Sequence, residues 1–176
     1  MNADQLRHLL RAAASITGER EFVVIGSQAL LGSHPDAPRS LRKSIEGDTY
    51  PLQHPEKSIE VDGAIGELSP FHQEFGYYAH GVHPETATLP VGWKDRLVEF
   101  EVGDDAGTIG LCLEPHDLAF SKLAAGREKD IDFIRGLLKY RLINQGKLKR
   151  LIAAEGDERL KAELAQNWTI VARRKT

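Results

Sequence analysis

Residues 22–25, Phe-Val-Val-Ile, form a continuous apolar run that ends on Gly26 and Ser27. This junction constrains the fold more than any other segment. Four aromatic or branched residues without polar alternation read as a strand covered on both faces. Residues 28–31 after it read as helix, so Gly26 and Ser27 occupy a strand-to-helix turn. A glycine leaving a buried strand allows the backbone to approach a ligand closely. The helix start beyond it presents free N–H groups and a positive dipole end, a combination that binds phosphate, and Ser27 adds a hydroxyl. The competing reading is an ordinary turn with a serine helix cap.

The second feature is the segment 42–50, Arg-Lys-Ser-Ile-Glu-Gly-Asp-Thr-Tyr, whose alternation reads as a strand. Glu46 and Asp48 stand two apart, so their side chains share one face of that strand, with Ile45 expected on the opposite, buried face. Two carboxylates roughly 7 Å apart along a strand repel each other unless a cation lies between them. Mg²⁺, which takes oxygen ligands from one or two carboxylates and substrate phosphates, is the natural partner. The competing reading is a polar strand edge facing solvent.

Along the chain, apolar residues at 6, 9, 10, 12, 13 and 16 predict an amphipathic helix over 3–16 ended by Gly18. Strands are expected over 76–82, 96–102 and 108–113, with a hairpin-type turn at 104–107 and a turn at 89–93. Residues 58–75 are ambiguous between helix and strand. The remainder reads as helical: Pro115 in the first turn of a helix to about Ala125, a second over 128–140, and shorter ones over 146–154 and 157–166. The tail, Arg173, Arg174 and Lys175, is expected to be loose. These elements predict an α/β (α+β) fold with a mixed sheet flanked by helices. The core would span residues 1–114, with a C-terminal helical portion, 115–176, packed on it as a single unit.

A chain of 176 residues with 41% hydrophobic residues can bury a core. No apolar run approaches the ~20 residues that span a bilayer, and the N-terminus lacks the layout of a secretory signal. The lone cysteine, Cys112, lies in an apolar run and is expected to be buried. A cytoplasmic protein with no membrane partner is the expectation. Charge is unevenly spread: residues 1–116 carry −9 and residues 117–176 carry +6. An acidic part suits a metal site and a basic part suits a phosphate-rich ligand, although both also suit ordinary solvated surface.

The order strand, Gly-Ser, helix, then a carboxylate-x-carboxylate strand resembles the nucleotidyltransferase superfamily. More closely, the segments VVIGSQALLGS, RKSIEGDTYP and LEPHDLAFSKLAAGREKDIDFIRGLL resemble the small bacterial nucleotidyltransferase-like proteins of the DUF6036 group, related to AbiEii-type toxins. The resemblance implies an NTP substrate whose phosphates Gly26 and Ser27 hold, and Mg²⁺ or Mn²⁺ on Glu46 and Asp48. It implies that Lys122 contacts a phosphate as a catalytic residue, with Arg127, Lys129 and Asp130 near the nucleotide. NMP would pass to an RNA acceptor, tRNA among them, or to a protein, and a toxin role would add a cognate antitoxin as partner. The chain departs from the pattern in two ways: Glu46 replaces the usual Asp, and 18 residues separate it from Ser27, a longer spacer than usual. The third carboxylate is open among Asp62, Glu67, Glu99 and Glu101. Without it the protein would be a nucleotide-binding or regulatory module on the same fold.

Among the histidines, His80 and His83 lack the i, i+4 spacing of a helical zinc pair, and His72 and His116 add no pattern to them. One cysteine excludes a thiolate cluster, so a structural zinc site is not expected. Tyr77, Tyr78 and Trp93 could stack on a base, but aromatic residues of this kind more often fill a core.

Overall fold

The computed structural model describes residues 1–173; Arg174 and Lys175, in the tail expected to be loose, lie outside them. The chain divides into two compact units, residues 1–87 with 97–114, and residues 88–96 with 115–176.

The first unit contains a five-stranded mixed sheet and four helices among the described residues. Helix α1 (Ala3–Thr17) starts at an Asn2 capping box and ends on Gly18, which takes the left-handed conformation of a helix stop. Strand β1 (Glu21–Val24) follows, then one 3-10 turn (Ser27–Ala29) and α2 (Leu30–Ser33). β2 (Glu46–Pro51), α3 (Ser58–Ile65), α4 (Pro70–Phe75), β3 (Tyr78–Gly81) and the hairpin of β4 (Val98–Glu101) and β5 (Ile109–Cys112) complete the unit. The strand order is β3-β2-β1-β5-β4. β1 is central, parallel to β5 and antiparallel to β2, while β3 runs parallel to β2. Phe22, Val23 and Val24 are fully buried, as a strand with neighbours on both sides and helices above requires.

One face of the sheet is closed by α1 and α3. A side chain at Gly47 would press on Leu9 of α1, and one at Gly81 would strike the Ser58 carbonyl of α3. Thr49 and Ala79 on that face are fully buried, and the Thr49 hydroxyl donates to Val23 O at 2.9 Å. The period of two along β2 and β3 sends Glu46, Asp48, Tyr78 and His80 to the other face.

The second unit holds a 3-10 turn at Trp93–Arg96 and four helices: α5 (Pro115–Ala125), α6 (Glu128–Lys139), α7 (Gln145–Ala153) and α8 (Glu158–Ala172). Arg96 donates twice from Nε and Nη2 to the fully buried Asp117 carboxylate, both at 2.9 Å, tying the turn to the first turn of α5. α6 buries Ile131, Ile134 and Leu137 on one stripe.

Several boundaries differ from the sequence expectation. The strand read over 42–50 begins only at Glu46, so Ile45 precedes it and is 47% exposed rather than buried. Met1 explains part of this: its ammonium group donates to Arg42 O and Ser44 O, taking carbonyls that a ladder would use. The strand read from 96 begins at Val98, because Arg96 belongs to the 3-10 turn. Residues 58–75 are two helices separated by Leu68, which takes a positive φ. The helix read over 157–166 continues to Ala172, with Leu164 and Val171 buried along it.

Candidate functional site

Parallel pairing of β2 with β3 sets Glu46 opposite Tyr78 and Asp48 opposite His80. Four polar side chains therefore crowd one patch of the open face. His80 Nδ1 lies 3.0 Å from Asp48 Oδ1 and 3.7 Å from Glu46 Oε1, and Tyr78 Oη donates to Glu46 Oε2 at 3.1 Å. One ligand atom each from Glu46, Asp48 and His80 fall within 4.8 Å of one another.

The electrostatics follow from that crowding. Burial, and then the adjoining Glu46 carboxyl, push the Asp48 carboxyl up to about 6, against a downward pull from His80. Burial and the Glu46 charge raise the Tyr78 phenol to about 12, so it stays protonated and donates. Two carboxylates and an imidazole at this separation are a donor set that fits a divalent cation, which would relieve the repulsion between Glu46 and Asp48.

The strand-to-helix turn abuts this patch. Gly26 has φ +67° and ψ −172°, a conformation open essentially to glycine alone. A Cβ there would stand 2.0 Å from Asp48 Oδ2. The glycine leaving the strand thus lets the backbone approach the carboxylate of Asp48. Ser27 follows in the 3-10 turn, half-buried, its Oγ accepting from Gln28 Nε2 at 3.4 Å. The element after Ser27 is one 3-10 turn and a four-residue helix, shorter than the sequence suggested. A long helix dipole is absent here, and any phosphate contact at this turn rests on local N–H groups and the hydroxyl.

A cavity of about 220 Å³ is lined by Glu46, Asp62, Glu67, Tyr78 and His80. Asp62, on α3, accepts from the Gly81 N–H at 3.3 Å along the open edge of β3. Two of the four candidate third carboxylates therefore border the acidic patch. Glu99 and Glu101 lie on β4, at the opposite edge of the sheet, with exposed side chains.

In the second unit, the motif residues Lys122, Arg127 and Asp130 are brought together. Asp130 is buried and receives Lys122 Nζ at 3.1 Å and Arg127 Nε at 2.6 Å. Burial opposes its ionisation, but the Arg127 hydrogen bond and the Lys122 charge outweigh it and hold its carboxyl below the usual range. The Lys122 ammonium also lies 5.9 Å from the centre of the Phe133 ring. Lys129 is exposed on the first turn of α6. The aromatic and histidine candidates separate clearly. Tyr77 is buried against His8, Phe71 and Phe75, and His116 is buried, accepting from the Asn144 N–H. His80 alone among the histidines joins the carboxylates, and sequence reasoning passed over it. Its signal was the i, i+2 spacing with Tyr78, the same period as Glu46 and Asp48, but only the β2–β3 register shows that the two pairs meet.

A family model described as a nucleotidyltransferase of unknown function, DUF6036, matches residues 4–175. No curated protein and no solved structure matches the chain.

Proposed function

The chain belongs to the DUF6036 nucleotidyltransferase family, and from that premise we propose that it transfers NMP from an NTP to an RNA or protein acceptor in a metal-dependent reaction. The observation that carries this reading is the convergence of Glu46, Asp48 and His80 beside the Gly26 turn. Glu46 and Asp48 would hold Mg²⁺ or Mn²⁺. When bound, the ion would neutralise charge on the phosphate oxygens around the reacting phosphorus. Ser27 Oγ and the N–H groups of its turn would hold phosphate oxygens of the nucleotide. Gly26 keeps that turn close to the carboxylates. Lys122, with Arg127 and Lys129, would supply cationic contacts to the triphosphate, and Asp130 orients the first two by pairing with both.

The acceptor hydroxyl would attack the α-phosphorus in line. The new O–P bond forms as the bond to the β-phosphate oxygen breaks, and pyrophosphate leaves. Asp62 or Glu67, bordering the same cavity as Glu46, would take the hydroxyl proton. In such a reaction the protein mainly positions groups and offsets charge.

The test is nucleotide labelling. Purified protein is incubated with Mg²⁺ or Mn²⁺, each α-labelled NTP in turn and total tRNA, beside Asp48→Ala. Label on RNA or on the protein, lost in the variant, is the expected outcome. Metal-dependent nucleotide binding without label transfer would instead favour a nucleotide-binding or regulatory module on the same fold. Growth arrest on expression in a bacterial host, relieved by Asp48→Ala, would extend the activity to a toxin, and relief by co-expression of a neighbouring small reading frame would identify a cognate antitoxin.

A further inference from the structure

We propose that His80 is a direct ligand of the divalent ion and that it makes this centre select Mn²⁺ over Mg²⁺. The inference rests on the metal-dependent reading above. Its basis is the β2–β3 register, which sets His80 directly beside Asp48. The same ring nitrogen, Nδ1, faces both carboxylates, at 3.0 Å and 3.7 Å. The ring is 49% exposed at its side chain, so no packing holds it away from an ion seated between the three groups.

The chemistry of that nitrogen carries the selectivity. Mg²⁺ is a hard cation that demands near-ideal octahedral oxygen coordination and gives up water reluctantly. Imidazole suits first-row transition ions such as Zn²⁺, Fe²⁺ and Ni²⁺; Mn²⁺, at the weak end of that series, also takes carboxylate oxygen as Mg²⁺ does, so of the two ions it is the one that tolerates a nitrogen ligand. A mixed set of two carboxylates and one imidazole therefore favours Mn²⁺, and it leaves positions for triphosphate oxygens. Asp62, which lines the same cavity, accepts from the Gly81 N–H, whereas the imidazole Nδ1 stands within 3.7 Å of both carboxylates.

The competing role for His80 is to orient Asp48 through their hydrogen bond without touching the ion. The experiment separates the two. The full-length protein, with a non-hydrolysable NTP analogue, is titrated with Mn²⁺ while free ion is followed by electron paramagnetic resonance, and Mg²⁺ is added as competitor. Pulsed measurements on the bound ion report directly coordinated nitrogen. The wild type should hold Mn²⁺ with an imidazole nitrogen coupling and release it only to a large excess of Mg²⁺. His80→Asp should lose the coupling, keep a metal and lower the Mg²⁺ excess required by about tenfold or more. His80→Asn, folded as judged by circular dichroism, should also lose the coupling. Bound Mn²⁺ without nitrogen coupling in the wild type, or unchanged competition in His80→Asp, would overturn the assignment of His80 while leaving the Glu46–Asp48 reading intact. A folded wild type that binds no Mn²⁺ would overturn both.

Discussion

Gly26 and Asp48 form the closest-fitted pair in the site, and each supports a prediction. Gly26→Ala places a methyl where Asp48 Oδ2 already sits, at a backbone angle that only glycine tolerates. It should cost about 1–3 kcal/mol of stability and displace Asp48, so that Mn²⁺ binding falls with it. Chemical denaturation and Mn²⁺ titration of the variant check both parts. Asp48 itself makes the metal-free protein sensitive to pH. Its carboxyl is raised from 3.8 to about 6, so between those values the folded state holds a proton that the unfolded state has released. The slope of stability with pH is then negative. The contribution is present below pH about 4 and is lost as pH rises through about 6. Denaturation midpoints of wild type and Asp48→Asn, compared across that range, should show the decline in the wild type alone. Because a metal competes with that proton, Mn²⁺ affinity should rise over the same window.

At the scale of elements, the arrangement depends on which faces are closed. Gly47 and Gly81 let α1 and α3 lie against β2 and β3, so the acidic residues on the alternate positions have only the opposite face to occupy. In the second unit the Arg96–Asp117 pair performs an equivalent task, joining the Trp93–Arg96 turn to the start of α5. Asp117 is fully buried while Arg96 is 30% exposed at its side chain. Arg96→Ala would leave a buried carboxylate without its bidentate donor and should destabilise by about 3 kcal/mol. Arg96→Ala combined with Asp117→Ala should cost less than the two single losses added together, the signature of coupled partners in a double-mutant cycle.

Across the whole molecule, Cys112 offers a reporter. It is the sole cysteine, is fully buried, and burial pushes its thiol up to about 12. Thiol reagents should leave the native protein unmodified and label it at the rate at which the structure opens, measurable by mass spectrometry across a denaturant series. No helix among the described residues is long and apolar enough to cross a membrane. Local sequence determined much of the rest. The apolar run ending at Gly26 specified the central strand, because burial on both faces leaves no polar alternation. The period of two specified that Glu46 and Asp48 share a face, helical periodicity located α1 and α6, and Pro115 marked the start of α5. Those signals are local, set by steric repeats within a few residues. The extent of β2 was not legible, because the Arg42 and Ser44 carbonyls are taken by the distant Met1 ammonium, and the ladder to β3 starts only at Ile45 O, which accepts from the Tyr78 N–H. Residues 58–75 were not legible as two helices, because the first is held mainly by packing on α1 and β3. His80 was invisible as a partner of Asp48 for the same reason. They stand 32 positions apart in the chain, and only hydrogen-bond register between β2 and β3, a property of the assembled sheet, brings an imidazole to the carboxylates.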